Sequence, residues 1–384
     1  MSTVSTAPVL DVDALLADRG TGIIVCCGAG GVGKTTTSAA LALRAAEMGR
    51  KVVVLTIDPA RRLAQSMGIE ALDNTPRPVA GVEVAAGGSL DAMMLDMKRT
   101  FDEVVESQAS PEKARQILDN PFYVALSSSF AGTQEYMAME KLGQIHRDAL
   151  RAGTYDLIVV DTPPSRSALD FLDAPEHLSS FLDGRFIRLL LAPAKGPARL
   201  MTMGLGGITG ALNKIIGAQV LTDMQTFVAA FDTLFGGFRS RAEETFALLQ
   251  ADGTAFVVVA APEPDALREA AYFVERLTDD RMPLAGLVVN RASLPAAGDL
   301  SAAEAVAAAD RLGDDPAYAT TVGLLRLHAD RARIHARESR LRARFTAAHP
   351  LVACTVVPAL ADDVHDLAGL RAVGASLAAP PTLN

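Results

Sequence analysis

Nearly continuous apolar runs, separated by helical segments, form the main pattern of the chain. The runs lie at Ile23–Val25, Lys51–Ile57, Tyr155–Asp161, Ala255–Ala261, Leu284–Asn290 and Leu351–Val357. Parallel strands that are buried on both faces need such continuous apolar sequence, without alternation with polar residues. Because helical patterns stand between the runs, the chain is predicted to be an α/β protein whose strands form a parallel sheet with right-handed crossovers.

Helical periodicity fills most of the intervals. The patterns lie at Thr37–Met48, Gln134–Leu150, Asp265–Leu277, Ala302–Leu312 and Leu324–Phe345, with a short helix centred on Val12–Leu16. Another apolar stripe, from Leu212 to Phe235, recurs at steps of three and four residues. The pattern alone favours an ordinary buried helix there. The alternative is a flexible groove for an apolar client helix, since Met201 and Met203 lie nearby and methionine adapts to varied partners.

A glycine-rich segment follows the first apolar run and precedes the first long helix. It consists of Gly28, Ala29, Gly30, Gly31, Val32, Gly33, Lys34, Thr35 and Thr36, which fits the spacing Gly, four residues, Gly-Lys-Thr. Glycines lack Cβ, so backbone N–H groups can turn inward around a phosphate, and the helix start adds partial positive charge. Lys34 is predicted to reach the β- and γ-phosphates, and the Thr35 hydroxyl to ligate Mg²⁺. Both flanks disfavour the alternative of a chance glycine turn, so these residues, Ala29 excepted, are candidate ligands of a nucleoside triphosphate.

Two apolar runs end in a carboxylate. Asp58 follows the second run and Asp161 ends the third. Ligands of parallel sheets bind at the carboxyl ends of strands, so both acids are expected at the edge that carries the glycine segment. Asp161 has the form of a Walker B acid that holds a water of the Mg²⁺ shell. Taken alone, it could instead cap a helix that begins near Ser165.

Composition narrows the class of protein. The 384 residues carry a formal charge of −9, which argues against a protein that mainly binds nucleic acid. Met1–Pro8 has no signal-segment pattern, and the longest uncharged apolar stretch, Leu200–Asn213, is too short to span a membrane. A cytoplasmic protein with no integral membrane segment is therefore expected. Three cysteines without a CxxC pair disfavour a structural zinc site.

Several separate segments together resemble one family, the ArsA-type ATPases. This family includes the arsenite-efflux ATPases and the ATPase that delivers tail-anchored membrane proteins, within the deviant-Walker class of MinD, ParA and nitrogenase iron protein. The segments, in the family's order, are the glycine segment, Asp58-Pro59-Ala60, Ala131–Glu135, Asp161–Pro164, Val289-Asn290-Arg291 and Val357–Leu360. The resemblance implies a doubly wound, mostly parallel sheet in one P-loop domain over residues 1–384, with a helical subdomain inserted at about 170–250. Residues 376–384 are expected to form a disordered tail.

The resemblance also implies roles for individual residues, with ATP and Mg²⁺ as cofactors. Asp58 matches the switch I acid that orients the attacking water, and Asp161 matches the switch II acid near Mg²⁺. Asn290 and Pro358 match positions that line the adenine pocket. Glu135 resembles the glutamate of the family's Gly-x-x-Glu motif. Lys34 and Asp58 are therefore the candidate catalytic residues, and Thr35 and Asp161 the candidate metal ligands.

Position 29 departs from the family pattern. The family has a lysine there that reaches across a dimer interface to the partner's nucleotide, whereas this chain has Ala29. In analogous arginine-finger systems a trans-acting cation contributes on the order of 10³ to 10⁵ in rate. The hypothesis is that this chain pairs with a homologous subunit that carries the lysine, although pairing with itself stays open. Arg61 and Arg62 could help replace that charge, or be solvated charges.

Two other functions remain as alternatives. The first is a hydrolysis-deficient scaffold that acts as the ATP-bound partner of a related ATPase. The second is a positioning ATPase of the MinD or ParA type that cycles on a membrane or nucleoid. Leu367–Asn384 has one arginine and no lysine, so it lacks the basic amphipathic anchor that membrane cycling needs.

Overall fold

The computed structural model describes residues 8–58, 62–83, 87–120, 123–124, 133–163, 240–295, 298–313 and 315–379. Contacts between Cα atoms divide the chain into two compact units. Unit 1 consists of Met1–Met94, Gly153–Ala168 and Leu249–Asn384, and unit 2 of Leu95–Ala152 and Leu169–Leu248. The apolar stripe at Leu212–Phe235, with Met201 and Met203, lies outside the described residues. A single domain with an insertion at about 170–250 therefore stays a prediction.

The strands of the described residues form one eight-stranded sheet in unit 1. The strands are β1 Ile23–Gly28, β2 Lys51–Thr56, β3 Arg77–Pro78, β4 Ser89–Met94, β5 Leu157–Asp161, β6 Thr254–Ala260, β7 Leu284–Ala292 and β8 Cys354–Pro358. Their order across the sheet is β3-β4-β2-β5-β1-β6-β7-β8, and only the β3–β4 pair is antiparallel. The predicted α/β class with a mostly parallel sheet is confirmed.

The described residues also form helices in both units. In unit 1 they are α1 Val12–Ala17, α2 Lys34–Glu47, α3 Arg62–Ser66, α7 Pro264–Asp279, α8 Ala302–Leu312, α9 Ala319–Ala348 and α10 Leu367–Ala378, with a 3₁₀ turn at Pro316–Tyr318. In unit 2 they are α4 Met97–Gln108, α5 Pro111–Leu118 and α6 Thr133–Ala152, and residues 240–248 are also helical. No helix in the described part of the chain is long and apolar enough to cross a membrane.

The central strands are buried on both faces, which explains their uninterrupted apolar sequence. Every residue of β1, β5 and β6 is buried. The adjacent Cys26 and Cys27 of β1 are fully buried, and burial raises the pKa of the Cys26 thiol to about 12. Both therefore act as small apolar side chains of the core, in agreement with their strand position.

Strand β4 was not predicted from the sequence. The sequence Ser-Leu-Asp-Ala-Met-Met of β4 has no β-branched residue and contains a carboxylate, so it lacks the signal of a buried strand. It pairs with β2 along its whole length, and Asp91 accepts a hydrogen bond of 2.5 Å from the Tyr155 hydroxyl.

Helix α10 extends further than expected. It continues to Ala378, so residues 376–378 are helical, whereas residues 380–384 lie outside the described residues.

A buried arginine holds the amino edge of the sheet together. Arg50, just before β2, is only 1% exposed. Its Nε donates to Asp156 Oδ1 (2.9 Å), and its Nη1 donates to the carbonyls of Leu16 (3.3 Å) and Asp18 (3.1 Å). Its Nη2 donates to the carbonyls of Thr21 (2.8 Å) and Asp156. One guanidinium thus connects the end of α1, the entry to β1 and the entry to β5.

The segment before α1 extends the sheet beyond β8. Val9 forms an isolated parallel bridge with Cys354. The Leu10 N–H donates to the Cys354 carbonyl (3.1 Å), and the Cys354 N–H donates to the Pro8 carbonyl (2.8 Å). The backbone of this stretch therefore pairs with the outer side of β8.

Within unit 2, α6 carries two consecutive buried charged residues, Glu140 and Lys141. Glu140 accepts hydrogen bonds from Arg241 Nε (2.8 and 3.0 Å) and from the Tyr136 hydroxyl (3.1 Å). Lys141 donates to Glu103 of α4 (3.0 Å). These pairs connect α6 to α4 and to the helical residues 240–248.

Candidate functional site

The glycine segment forms a loop between the carboxyl end of β1 and the start of α2. Gly28, Gly31 and Gly33 have φ values of 146°, 75° and 93°, a region that side chains with a Cβ rarely occupy. A Cβ on Gly28 would lie 2.1 Å from the Val259 carbonyl oxygen of the neighbouring strand. A Cβ on Gly33 would lie 2.3 Å from Asn290 Nδ2. Both glycines are therefore required by close approach as well as by backbone conformation.

Lys34, the first residue of α2, folds back over the loop. Its Nζ donates to the carbonyls of Gly28 (3.0 Å) and Ala29 (2.8 Å), and the side chain is buried. Burial lowers the pKa of Lys34, while the carboxylates of Asp161 and Asp58 act in the opposite direction. An ammonium has three donors, so two hydrogen bonds to the loop fix its position and leave one donor for an anion.

Asp161 lies at the carboxyl end of β5, between β2 and β1. It is paired in register with Thr56 on one side and with Cys26 on the other. Asp161 Oδ2 accepts a hydrogen bond from Thr56 Oγ1 (2.9 Å), whereas Oδ1 is buried and has no hydrogen-bond partner within the described residues. Burial raises the pKa of Asp161 to about 6, although the hydroxyls of Thr35 and Thr56 and the Lys34 ammonium lower it.

Asp58 is connected to Asp161 through one hydroxyl. The Asp58 N–H donates to Thr56 Oγ1 (3.2 Å), and that same Oγ1 donates to Asp161 Oδ2. The Ile57 N–H also donates to the Asp161 carbonyl (2.9 Å). The two acids that the sequence predicted at one edge of the sheet therefore share a hydrogen-bonded neighbour.

Two consecutive side chains at the end of β7 hold the opposite side of the loop. Asn290 is buried and its Nδ2 donates to the Val32 carbonyl (2.8 Å). Arg291 is exposed and its Nη1 donates to the Gly31 carbonyl (3.0 Å). Consecutive strand residues normally point to opposite faces. Arg291 has φ 59°, and its side chain reaches the same loop as that of Asn290.

A cavity of about 750 Å³ brings most of the predicted site residues together. Its walls include Gly31, Gly33, Lys34, Thr35, Thr36, Asp58, Asn290 and Pro358. The volume is within the range of small-molecule and cofactor pockets. Asp161 is fully buried beneath this wall, and Gly28 lies behind the loop against β6. The side chain of Glu135 lies outside the described residues.

A second cavity, of about 280 Å³, opens beside the same loop. Gly30 and Val32, two of the candidate ATP ligands, line it together with Ala29. The other walls carry the carboxylates Glu263, Asp265, Glu269 and Glu338, and Arg291 lines both cavities. Ala29 thus presents a methyl group to a space with acidic walls.

The donors at the loop fit a magnesium ion. Mg²⁺ is usually bound by one or two carboxylates together with substrate phosphates and water. Asp161 Oδ1 is a buried carboxylate oxygen without a hydrogen-bond partner in the described part of the chain, which is costly unless a ligand satisfies it. The Thr35 hydroxyl lies close enough to lower the pKa of Asp161. Thr35 and Asp161 are thus the residues that could hold the metal.

Sequence analysis missed several residues of this site. Thr56, which connects the two acids, had no motif to mark it, although its place two residues before Asp58 was a signal. Arg291 was quoted within a motif but received no role, because its left-handed backbone is invisible in sequence. Asp362 and His365, which follow β8, line the larger cavity and were not singled out either. Arg62, which was named as a possible replacement for the missing positive charge, lines the same cavity from α3.

Comparison with known proteins places these features in a family. A family model described as anion-transporting ATPase, ArsA type, matches residues 21–308, which is more than half of the chain. The chain is 27% identical over 270 residues to the ATPase ASNA1 homolog of Cryptosporidium parvum, covering 70% of this chain and 64% of that protein. It is also 27% identical to ATPase GET3 of Podospora anserina over 289 residues, which is 75% of this chain and 78% of that one. The identity to ATPase get3 of Aspergillus terreus is 28% over 276 residues, 71% and 73% of the two chains.

Proposed function

The chain belongs to the anion-transporting ATPase family of the ArsA type, and from that premise we propose that it is a Mg²⁺-dependent ATP hydrolase. The observation that carries this proposal is the cavity of about 750 Å³ at the carboxyl edge of the sheet. Its walls combine Gly31 and Gly33–Thr36 of the loop with Asp58, Asn290 and Pro358. These residues come from the ends of β1, β2, β7 and β8, so the fold itself supports one binding site.

Each part of the site has a chemical task in this proposal. The backbone N–H groups of the loop and the start of α2 bind the phosphates, and the third donor of Lys34 neutralises charge on them. Thr35 and Asp161 hold Mg²⁺, which supplies neutralisation of phosphate charge when it is bound. Asp58 orients the attacking water, and Asn290 and Pro358 line the base.

The shared contact with Thr56 supports a switch role. The Asp58 backbone N–H and the Asp161 carboxylate both hydrogen-bond the Thr56 hydroxyl, so a shift of the backbone at Asp58 or a change in the charge of Asp161 alters the contact that the other makes. In this proposal the nucleotide state moves the segments that follow the two acids and thereby remodels the helical insertion. The client is an apolar helix or a membrane protein, and the protein works in the cytoplasm with transient membrane association. Adding ATP to the protein with a labelled apolar helical peptide tests this, because nucleotide-independent binding would contradict it.

The missing lysine supports a partner of the same family. Ala29 is 7% exposed and lines the second cavity, where its methyl group cannot neutralise phosphate charge. We therefore propose that a homologous subunit with the lysine completes this site in a heterodimer. The alternative, a scaffold that binds ATP without hydrolysing it, rests on the same absence of a lysine at position 29.

Single-turnover ATP hydrolysis tests the proposal. The chain is compared alone, mixed with a lysine-bearing homologue, and as the variants Ala29→Lys and Asp58→Asn. Acceleration by the homologue or by Ala29→Lys, at least about tenfold and abolished by Asp58→Asn, is expected. Ala29→Met, which matches the lysine stem without its charge, should remain slow. Tight ATP binding without turnover in any mixture would instead support the scaffold. Flotation with liposomes, with and without ATP, tests the membrane-positioning alternative.

A further inference from the structure

Arg291 has an unusual backbone and an unusual position. It is one of two described non-glycine residues with a positive φ, at 59°, and the other is Arg281 at 56°. Such a conformation is costly for a residue with a Cβ and persists where surrounding contacts hold it. At Arg291 the side chain donates to the Gly31 carbonyl, the middle of the predicted phosphate loop.

The contact with Gly31 leaves most of the guanidinium available. Arginine has five N–H donors, and the contact with Gly31 involves Nη1. No carboxylate of the described residues forms an ion pair with Arg291, although Glu338 and Glu263 line the same small cavity. Glu338 instead accepts hydrogen bonds from the Ser293 N–H (2.7 Å) and hydroxyl (2.9 Å). In a chain of net charge −9, a cation without an acidic partner at a phosphate loop favours an anionic ligand.

We propose that Arg291 binds the phosphate chain of the nucleotide held in the same subunit. Its Nη1 stays on the Gly31 carbonyl, and its remaining donors form charge-assisted hydrogen bonds to phosphate oxygens. The planar fork of arginine suits this arrangement, because one edge can hold the loop while another holds a phosphate. Arg291 would thus supply in cis part of the positive charge that Ala29 does not provide. This inference rests on the proposed ATP site.

Binding measurements with a graded set of ligands test the inference. Calorimetric titration with adenosine, AMP, ADP and ATP, in the presence of Mg²⁺, is carried out on the wild type and on Arg291→Gln. Glutamine keeps much of the stem length without the charge. The variant is expected to bind ATP about tenfold more weakly and adenosine as well as the wild type does. Arg291→Lys should recover part of the loss, since it restores the charge without the fork.

Arg281→Gln is the matched control. It removes an arginine from the same backbone conformation, but Arg281 lies after α7 and lines neither cavity. Its ATP affinity should equal that of the wild type. The dependence of ATP affinity on salt concentration distinguishes a contact with phosphate from a purely structural contact with the loop. If the Arg291 guanidinium interacts with phosphate charge, the difference in ATP affinity between the wild type and Arg291→Gln should shrink as the KCl concentration rises from about 0.05 M to about 0.5 M.

The outcomes distinguish this inference from the proposed function. If the wild type binds ATP and Arg291→Gln binds it equally well, the role of Arg291 is refuted and the ATP site stands. A loss that is the same for adenosine and ATP, or that salt does not change, would make Arg291 a structural support of the loop and also refute the inference. If the wild type itself binds no ATP, both proposals are wrong.

Discussion

The two edges of the central sheet each bury a charged side chain, but they treat it in opposite ways. At the amino edge, Arg50 makes five hydrogen bonds to acceptors at the end of α1 and at the entries to β1 and β5. At the carboxyl edge, Asp161 is just as buried, yet its Oδ1 has no hydrogen-bond partner in the described residues. The amino edge is therefore satisfied within the protein, whereas the carboxyl edge retains a buried carboxylate oxygen that a ligand could satisfy.

The difference in hydrogen bonding means that the buried charge at one edge contributes to stability, whereas the buried charge at the other edge contributes to ligand binding. A buried charge with complete hydrogen bonding contributes to a unique structure, and removing one partner leaves the others uncompensated. A buried charge without full hydrogen bonding lowers the stability of the free protein, and the cost is recovered when a ligand binds. Substitutions at the two edges should accordingly change the free energy of unfolding in opposite directions.

Replacing Arg50 should have the largest effect. Arg50→Met keeps an apolar stem but leaves Asp156 Oδ1 and several buried carbonyls without their donor, while Asp156 Oδ2 keeps its contact with Arg19. We expect the free energy of unfolding to fall by about 3–5 kcal/mol. Urea denaturation followed by circular dichroism measures the loss. The folded fraction should still bind ATP like the wild type, and a change in stability below about 1 kcal/mol would show that the network is dispensable.

Replacing Asp161 should have a smaller effect of the opposite sign. Its pKa is raised from an ordinary value near 3.8 to about 6, so ionisation of the native protein at pH 7.5 costs about 3 kcal/mol by linkage. Asp161→Asn removes this cost, so the metal-free protein should be more stable at pH 7.5 by about 1–3 kcal/mol. Hydrolysis should be lost in the same variant.

The pH dependence of this gain gives a sharper test. The raised pKa favours the folded state while Asp161 is protonated, and this contribution disappears as the pH rises through about 6. The difference in stability between Asp161→Asn and the wild type should therefore be near zero at pH 4 and complete above pH 7. Thermal unfolding in EDTA across this range measures it. Equal differences at every pH would contradict the assignment to this carboxyl.

Replacing Arg44 should have the smallest effect. Arg44 of α2 pairs with Asp13 of α1 through two contacts, Nε–Oδ1 at 2.5 Å and Nη2–Oδ2 at 2.7 Å. This pair is partly exposed, with 30% and 43% of the two side chains accessible, so water competes for it. Arg44→Met should cost less than about 1 kcal/mol in urea denaturation. A loss as large as that of Arg50→Met would show that burial is not the deciding difference.

Strands of the sheet could be predicted from sequence where burial on both faces produced a continuous apolar run. The central strands β1, β5 and β6 are apolar along their length because both faces are covered. Strand β4 carries no such run, because Asp91 is stabilised by Tyr155 of another segment. The burial of Arg50 was equally hidden, since its acceptors come from distant parts of the chain and an arginine between Gly49 and Lys51 looks like a surface residue.

The candidate site likewise contains residues that the sequence identified and contacts that it could not predict. Local chemistry marked the loop around Lys34, and the strand ends marked Asp58 and Asp161. Contacts over long sequence distances could not be predicted, such as Asn290 Nδ2 on the Val32 carbonyl. The orientation of Arg291 was out of reach too, because it depends on a φ of 59° that residue type does not indicate.

The bridge between Val9 and Cys354 has a consequence for synthesis on the ribosome. The segment that pairs with the outer side of β8 is synthesised long before its partner strand. Until then the backbone groups around Val9 lack these partners, and closure of this edge has to follow the arrival of β8. Co-translational folding of unit 1 should therefore finish at this edge, and a chain stalled before Cys354 should expose the Val9 segment to chaperones and proteases.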